Sequence, residues 1–382
     1  MQLSSFMTVS AAEDFLRHIY AGTVGKLQIP TRARHHAAGG EAAFVQAVST
    51  WANEANPAEL VSYAEGPVDE VQIERLVSRL HGLVGILVAD TISSIRGPDL
   101  TEVLRKAALE RLSLLQSATP EDGSRGPQLE IVCFDHLAKS HPRSFYAPSE
   151  QGVLQVRRLP AFNLFAAEVL KELVPTALSR GIPEGFTSAL GGALHELFRN
   201  TEEHGRVNDR GDVPTKSVRG FHARRHSITP KMLPALAAEA KPFSDYFSRL
   251  RPARAGNRDI QLIELSVFDT GPGMAASLSA RPLTSIDRNE ELLLVRRCFG
   301  KNVSRKSISS AGLGLPTVID LLRERNGFLR LRTGRLSLFS DLGLEEQRAF
   351  GELPELRDWA DPGGRIAPIA GTLFTLLFPL GA

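Results

Sequence analysis

The chain has little of what most readily identifies a protein. Cysteine occurs twice, at Cys133 and Cys298, with no second Cys or His at metal-ligand spacing. Neither a disulfide framework nor a zinc site is therefore readable, and a reducing compartment fits. The longest uninterrupted apolar run, Gly82 to Ala89, is far short of the roughly 20 residues that a membrane-spanning helix needs. The opening MQLSSFMTVSAAEDFL lacks the basic head and long apolar stretch of a secretory signal, so a cytoplasmic location is expected, with no membrane as partner. Internal repeats and low-complexity tracts are absent. Charge of one sign is absent too: 45 Lys or Arg against 43 Asp or Glu leave +2, a balance that forces neither nucleic acid nor a lipid surface as partner.

What is present is the composition of an ordinary folded protein, 42% hydrophobic and 23% charged, which argues against disorder, collagen and coiled coil. At 382 residues the chain exceeds a typical single domain, and two domains are expected. Residues 1–150 alternate strand-like runs (Gly25 to Ile29, Leu60 to Tyr63, Leu129 to Phe134) with helical patterns (Glu41 to Glu54, Val68 to Leu80, Leu100 to Ser117), which reads as an α/β domain. A Pro- and Ser-bearing stretch from His141 to Gly152 marks the expected boundary. Residues 151–382 then show helical patterns at Phe162 to Arg180, Pro183 to His204 and Pro316 to Arg325. Strands are expected at Val153 to Arg157, Ile260 to Phe268, Phe328 to Arg332 and Thr372 to Phe378. This mixture without regular alternation predicts an α/β sandwich, a mixed sheet covered by helices on one face.

Four short segments bear chemistry. On the helix around Glu196, apolar residues Phe186, Leu190, Ala193, Leu194, Leu197 and Phe198 form one stripe. Glu196, Asn200 and His204, four apart, drift toward its centre, so Asn200 and His204 are expected to point inward and to need partners, a ligand or a metal. The plainer alternative is an exposed polar line. In Val267-Phe268-Asp269-Thr270-Gly271-Pro272-Gly273, the period of two carries the apolar face of the strand to Asp269, an acceptor beside a backbone that a flat ligand can approach closely; a simple turn would use the same residues. Gly312-Leu313-Gly314-Leu315 precedes a helix, where free amides and the positive dipole end favour phosphate. Lys301, Arg305 and Lys306 lie just upstream. Gly371-Thr372 opens the terminal apolar strand.

Taken in order, Glu196…Asn200…His204, Asp269-Thr270-Gly271-Pro272-Gly273, Gly312-Leu313-Gly314-Leu315 and Gly371-Thr372 resemble the N, G1, G2 and G3 boxes of the GHKL ATPases. That family includes DNA gyrase B, histidine kinases and MutL. The resemblance covers residues 151–382, and the spacing of the first box is closest to the anti-sigma-factor serine kinase and histidine kinase branch. It implies a Bergerat-type site for ATP and Mg²⁺. In such a site Asp269 accepts the adenine amino group, Gly271 and Gly273 admit the nucleotide, and Thr372 supports the adenine contact. Gly312, Leu313, Gly314 and Leu315 contribute the phosphate loop, with Lys301 and Arg305 beside it under a lid from Met274 to Ala311. Asn200 ligates the metal, and Glu196 is the general base.

The function so implied is Mg²⁺-dependent ATP hydrolysis, with nucleotide state controlling lid order and association with a second copy or a protein partner. One alternative is a serine/threonine kinase of the anti-sigma type. Another is a non-hydrolysing ATP sensor in a stress or phage-defence pathway. The first 150 residues resemble no family. Residues 206–259 depart from the compact family pattern as a basic insertion, with 12 Lys or Arg against 5 Asp or Glu. Phe221-His222-Ala223-Arg224-Arg225-His226 sets an aromatic among cations, a pattern compatible with nucleic acid. The preferred reading is a solvated insertion whose arginines brace the domain.

Overall fold

Along Ile260–Phe268, Ile263, Leu265 and Val267 enter one apolar core, while Leu262, Glu264, Ser266 and Phe268 face the other way. That strand is central in a seven-stranded sheet, ordered Arg357–Asp358, Leu336–Asp341, Phe328–Gly334, Ile369–Pro379, Ile260–Phe268, Arg219–Ile228, Gln128–Cys133. The computed structural model describes residues 1–22, 25–30, 35–62, 69–95, 97, 99–116, 127–138, 140–208, 212–252, 259–300, 314–345, 351–360 and 366–380. Among these no helix is long and apolar enough to cross a membrane.

The chain is mixed α/β as expected, but the sheet is not mixed: all its pairings are antiparallel. Nor is it covered on one face only. On the first face, helices Leu159–Leu173, Phe186–His204 and Gly314–Glu324 bury Phe165, Leu194, Leu197, Val318 and Leu322 against Leu265, Leu331 and Leu376. The second face also carries fully buried apolar residues, Leu262, Phe328, Leu373 and Leu377, and these need cover as much as the first set does. Helix Gly40–Glu54 supplies part of it by packing on Ile369–Pro379 and Ile260–Phe268. Helices Val9–Tyr20 and Leu80–Val88 close over its outer side. Buried from Gly40 to Ala52, it is a core helix shared by both parts of the chain.

The N-terminal part has its own parallel sheet, Leu27–Ile29, Glu59–Ser62 and Thr91–Ser94. The strand at Leu129 to Phe134, read as part of that unit, instead pairs antiparallel with Arg219–Ile228, Leu129 opposite Ala223. The large sheet thus begins at Gln128, ahead of the boundary read near residue 150. The helix read at Val68 to Leu80 is found at Glu70–Val77, and a second helix that the sequence reading did not give, Leu80–Val88, follows it.

The described residues of segment 206–259 are built into the fold rather than forming a solvated insertion. The segment holds strand Arg219–Ile228, flanked on both sides in the sheet, and helices Leu233–Glu239 and Lys241–Arg249. Phe221 and Ala223 lie in the apolar core, and His222 and His226 are buried on the opposite face. Arg219 is buried and doubly bonded to Asp135, both contacts at 2.7 Å. Arg224 reaches Gln128 and Arg225 reaches Gln261. An aromatic among cations here is the alternation of a strand whose cations have intramolecular partners.

Candidate functional site

The long helix Phe186–His204 is entered from Gly185 and ended by Gly205. Its end runs into the end of strand Ile260–Phe268, so closely that a Cβ on Gly205 would lie 2.4 Å from the Asp269 Cβ. A Cβ on Gly271 would lie 2.6 Å from the Gly205 Cα. From the other side the head of strand Ile369–Pro379 arrives: Gly371 has φ +72°, and a Cβ there would be 1.9 Å from the Asp269 carbonyl oxygen. No side chain fits at those approaches. Three segments distant in sequence therefore meet at Asp269.

Asp269 is buried. Its backbone N–H donates to the Thr372 carbonyl at 2.9 Å, and the Gly271 N–H donates to its Oδ1 at 2.9 Å. Burial pushes its carboxyl up to about 7, against the opposing pull of the Gly271 and Thr372 amides and the Arg219 charge. The result is a desolvated acceptor that changes charge near neutrality. Thr270 locks the same corner: its hydroxyl accepts from Val218 N–H at 2.9 Å and donates to the Val218 carbonyl. Thr372 is buried, its hydroxyl 3.3 Å from that of Thr333, and Thr333 in turn accepts the Met274 N–H at 3.0 Å.

Two turns back along the helix, Glu196 is buried, whereas Asn200 and His204 are half-buried. This reverses the depth expected from helical phase. Helix Gly314–Glu324 packs against this helix, and the Gly314 amide is near enough to the Glu196 carboxylate to favour its charged form. His195 Nδ1 and Arg199 Nη2 each stand 3.6 Å from that carboxylate. Burial acts to raise the Glu196 carboxyl, but His195, Arg199 and the Gly314 amide together bring it below the usual glutamate value, so it is anionic at neutral pH. Asn200 is one turn from Glu196 and one from His204, at a rise of roughly 6 Å per four residues. It lies between the Gly314 end and the Asp269 end of the same helix face.

Leu315 contributes to the apolar core rather than to an open loop. Lys301, Arg305, Gly312 and Leu313 lie outside the described residues. Of the segment expected as a lid, Met274 to Ala311, residues 301–311 lie outside the described residues, and helices Met274–Ser279 and Arg288–Cys298 occupy much of the rest. The second is capped by Asp287 and anchored by Val295 in the core. Its fully buried Glu291 binds Arg335 Nε at 2.9 Å. Gly205 and Thr333 escaped the sequence reading. Gly205 had a signal as the helix stop, whereas Thr333 meets Thr372 only through strand pairing.

Among the described residues no group of three His, Cys, Asp or Glu side chains is set to hold a metal ion. A cavity of about 40 Å³ beside Ile182, Phe186 and Phe378 lies at the far end of the long helix and is too small for a nucleotide. A wider hollow of about 780 Å³ follows the outer face of helix Thr101–Gln116, away from Asp269. Compared with family models, curated proteins and solved structures, the chain matches none.

Proposed function

We propose that the chain binds ATP with Mg²⁺ in a GHKL-type site of Bergerat architecture and hydrolyses it. The observation that carries this reading is the meeting at Asp269 of the end of helix Phe186–His204, the Gly271 turn and Gly371-Thr372, with approaches that exclude a Cβ, while helix Gly314–Glu324 packs on the same long helix. The segments that resemble the N, G1 and G3 boxes share one corner, and the start of the G2 helix adjoins the other end of the N box.

The residues present fit the group. Asp269 is a buried acceptor suited to an exocyclic amino donor. Asn200, an oxygen ligand on the face between the two ends, suits a hard cation that keeps most of its other ligands as water and phosphate. Bound magnesium would neutralise phosphate charge. Glu196, held anionic, accepts a hydrogen bond from a water and orients it; its lowered pKa suits orientation better than strong proton abstraction, and slow turnover follows. Nucleotide state then alters association with a second copy or a protein partner. The alternative phosphoacceptor, a protein hydroxyl, is an outcome of the same assay.

The test incubates the protein with γ-labelled ATP and Mg²⁺, with and without cell lysate. Label is expected in free phosphate, reduced roughly 100-fold or more by Glu196→Ala. Label in a lysate protein instead makes the chain a kinase; binding without turnover makes it a sensor. Asp269→Asn is expected to weaken ATP binding on the order of 30-fold, the loss of a charged acceptor. Because Asp269 changes charge near 7 and ionisation favours the amino donor, affinity should fall about tenfold from pH 8 to pH 6. Equal affinity for parent and Asp269→Asn removes the adenine assignment.

A further inference from the structure

Ala370 and Gly371 stand outside the regular ladder of the large sheet. Thr333 is opposite Thr372 and Gly334 is opposite Ile369, so the register shifts and two residues bulge from the last strand. A bulge leaves backbone groups that the ladder no longer satisfies, and they must find other partners. Here both polar groups of Ala370 are taken by helix Gly40–Glu54. The Gln46 side-chain amide donates to the Ala370 carbonyl at 3.1 Å and to the Arg332 carbonyl at 3.4 Å. Ala370 N–H donates to the Thr50 hydroxyl at 3.1 Å, and that hydroxyl donates to the Gln46 carbonyl at 2.8 Å. Gln46 and Thr50 are each 1% exposed, so these bonds are shielded from water.

The bulge is what presents Gly371 and Thr372 to Asp269. Gly371 has φ +72° in it and packs on the Asp269 carbonyl, while the Thr372 carbonyl accepts the Asp269 N–H at 2.9 Å. A second tie runs from the same part of the chain to the other side of the corner: Lys216 Nζ bonds the Ala52 carbonyl at 3.1 Å and Asp90 Oδ2 at 2.8 Å. Lys216 lies two residues before Val218, which holds the Thr270 hydroxyl.

We infer that the N-terminal part regulates the adenine end of the proposed nucleotide site, with Gln46 and Thr50 as positioning residues that hold the Ala370–Gly371 bulge in its binding form. The inference rests on the ATP reading above. Anything that shifts helix Gly40–Glu54 on the sheet moves Thr372 relative to Asp269, and by reciprocity nucleotide binding stiffens that helix.

The test measures adenosine and ATP binding to the full chain by calorimetry across pH. Thr50→Val, which loses the hydroxyl at constant shape, should weaken adenosine and ATP by the same factor, about fivefold for one hydrogen bond. Thr50→Ser should bind as the parent does. The pH midpoint of binding should move up in Thr50→Val, because the Thr372 amide that holds the Asp269 carboxyl down is displaced. Gln46→Met should act in the same direction. The inference is overturned if Thr50→Val and Gln46→Met, folded by thermal melting, bind adenosine with the parent's affinity and pH midpoint. If neither variant folds, hydrogen exchange in the parent decides: slower exchange of residues 40–54 with ATP supports the inference, and unchanged exchange overturns it. A parent that binds no nucleotide defeats the ATP reading itself, and that failure is visible without any variant.

Discussion

The two faces of the seven-stranded sheet are buried by different chemistry. The face under helices Leu159–Leu173 and Phe186–His204 is a continuous apolar core. The face under the N-terminal part mixes apolar residues with buried ions. Glu264 pairs with His226 at 2.8 Å, accepts the Gly39 N–H at 2.8 Å and takes the Ser266 hydroxyl. His222 Nδ1 stands 3.6 Å from Glu264. Glu41 pairs with His81, Glu130 with Arg111, and Glu13 with Arg330 and Arg332. An apolar face tolerates many partners of the right shape, whereas a buried ion is costly without its own partner. The N-terminal part is therefore held in one register on the sheet. That register sets the position of Gln46 and Thr50.

Adjacent residues on one strand allow a direct test. Glu264→Ala should destabilise the chain most, by about 4 kcal/mol, since it leaves buried His226 and the Gly39 N–H without their acceptor. Leu265→Ala, pointing into the other core, should cost about 3 kcal/mol as a cavity. Urea unfolding of both ranks them, and a clear reversal would mean that the ionic face contributes less than the packing face.

Acid should separate the faces further. Histidine partners hold the Glu264 carboxyl well below its ordinary 4.5 despite burial, so its contribution is present above 4.5 and lost as pH falls through the folded value. Burial depresses His226 below its ordinary 6.5 more than Glu264 lifts it, so the native state loses stability as pH falls below 6.5. His222 runs the other way. Burial acts downward on it but is outweighed by Glu264, with Glu41 and Glu130 adding; its contribution is full below 6.5 and lost as pH rises through the raised value. Unfolding midpoints should peak near neutrality, and His226→Gln should remove the first part of the acid decline. A flat profile in the parent would contradict the charge states of the second face.

The smallest effect is expected at Arg225, half-buried and bonded to Gln261 at 3.3 Å. Arg225→Ala should change stability by about 0.5 kcal/mol. Charge reversal at Arg224 and Arg225 should leave mobility-shift assays with DNA or RNA unchanged at low salt. A salt-sensitive loss of binding would restore the nucleic-acid reading.

Period and punctuation made much of the fold legible. Strand Ile260–Phe268 and the end of helix Phe186–His204 lie where the sequence reading put them, because a run of alternating or helically spaced apolar residues has few other ways to bury itself. Strand Arg219–Ile228 was not legible. Its second-face positions are His222, Arg224 and His226, which look solvent-facing until Glu264 and Gln128 are brought beside them. Strand Gln128–Cys133 was legible as a strand but not as a member of the large sheet, since pairing partners lie beyond any local window. Of the residues that meet at the candidate corner, Asp269, Gly271 and Thr372 were singled out from their own segments. Gly205 and Thr333, and the bonds of Gln46 and Thr50 to the bulge, depend on contacts between segments.

By itself the sequence determined many of the helices and strands and which short segments carry acceptors and glycines, because those properties reside in neighbouring residues. Only the tertiary structure decided that the N-terminal part is the second cover of the sheet and that its helix Gly40–Glu54 satisfies the bulge at Ala370. The physical reason is that a buried polar group takes its partner from whatever element packs against it, here more than 300 residues away in the chain.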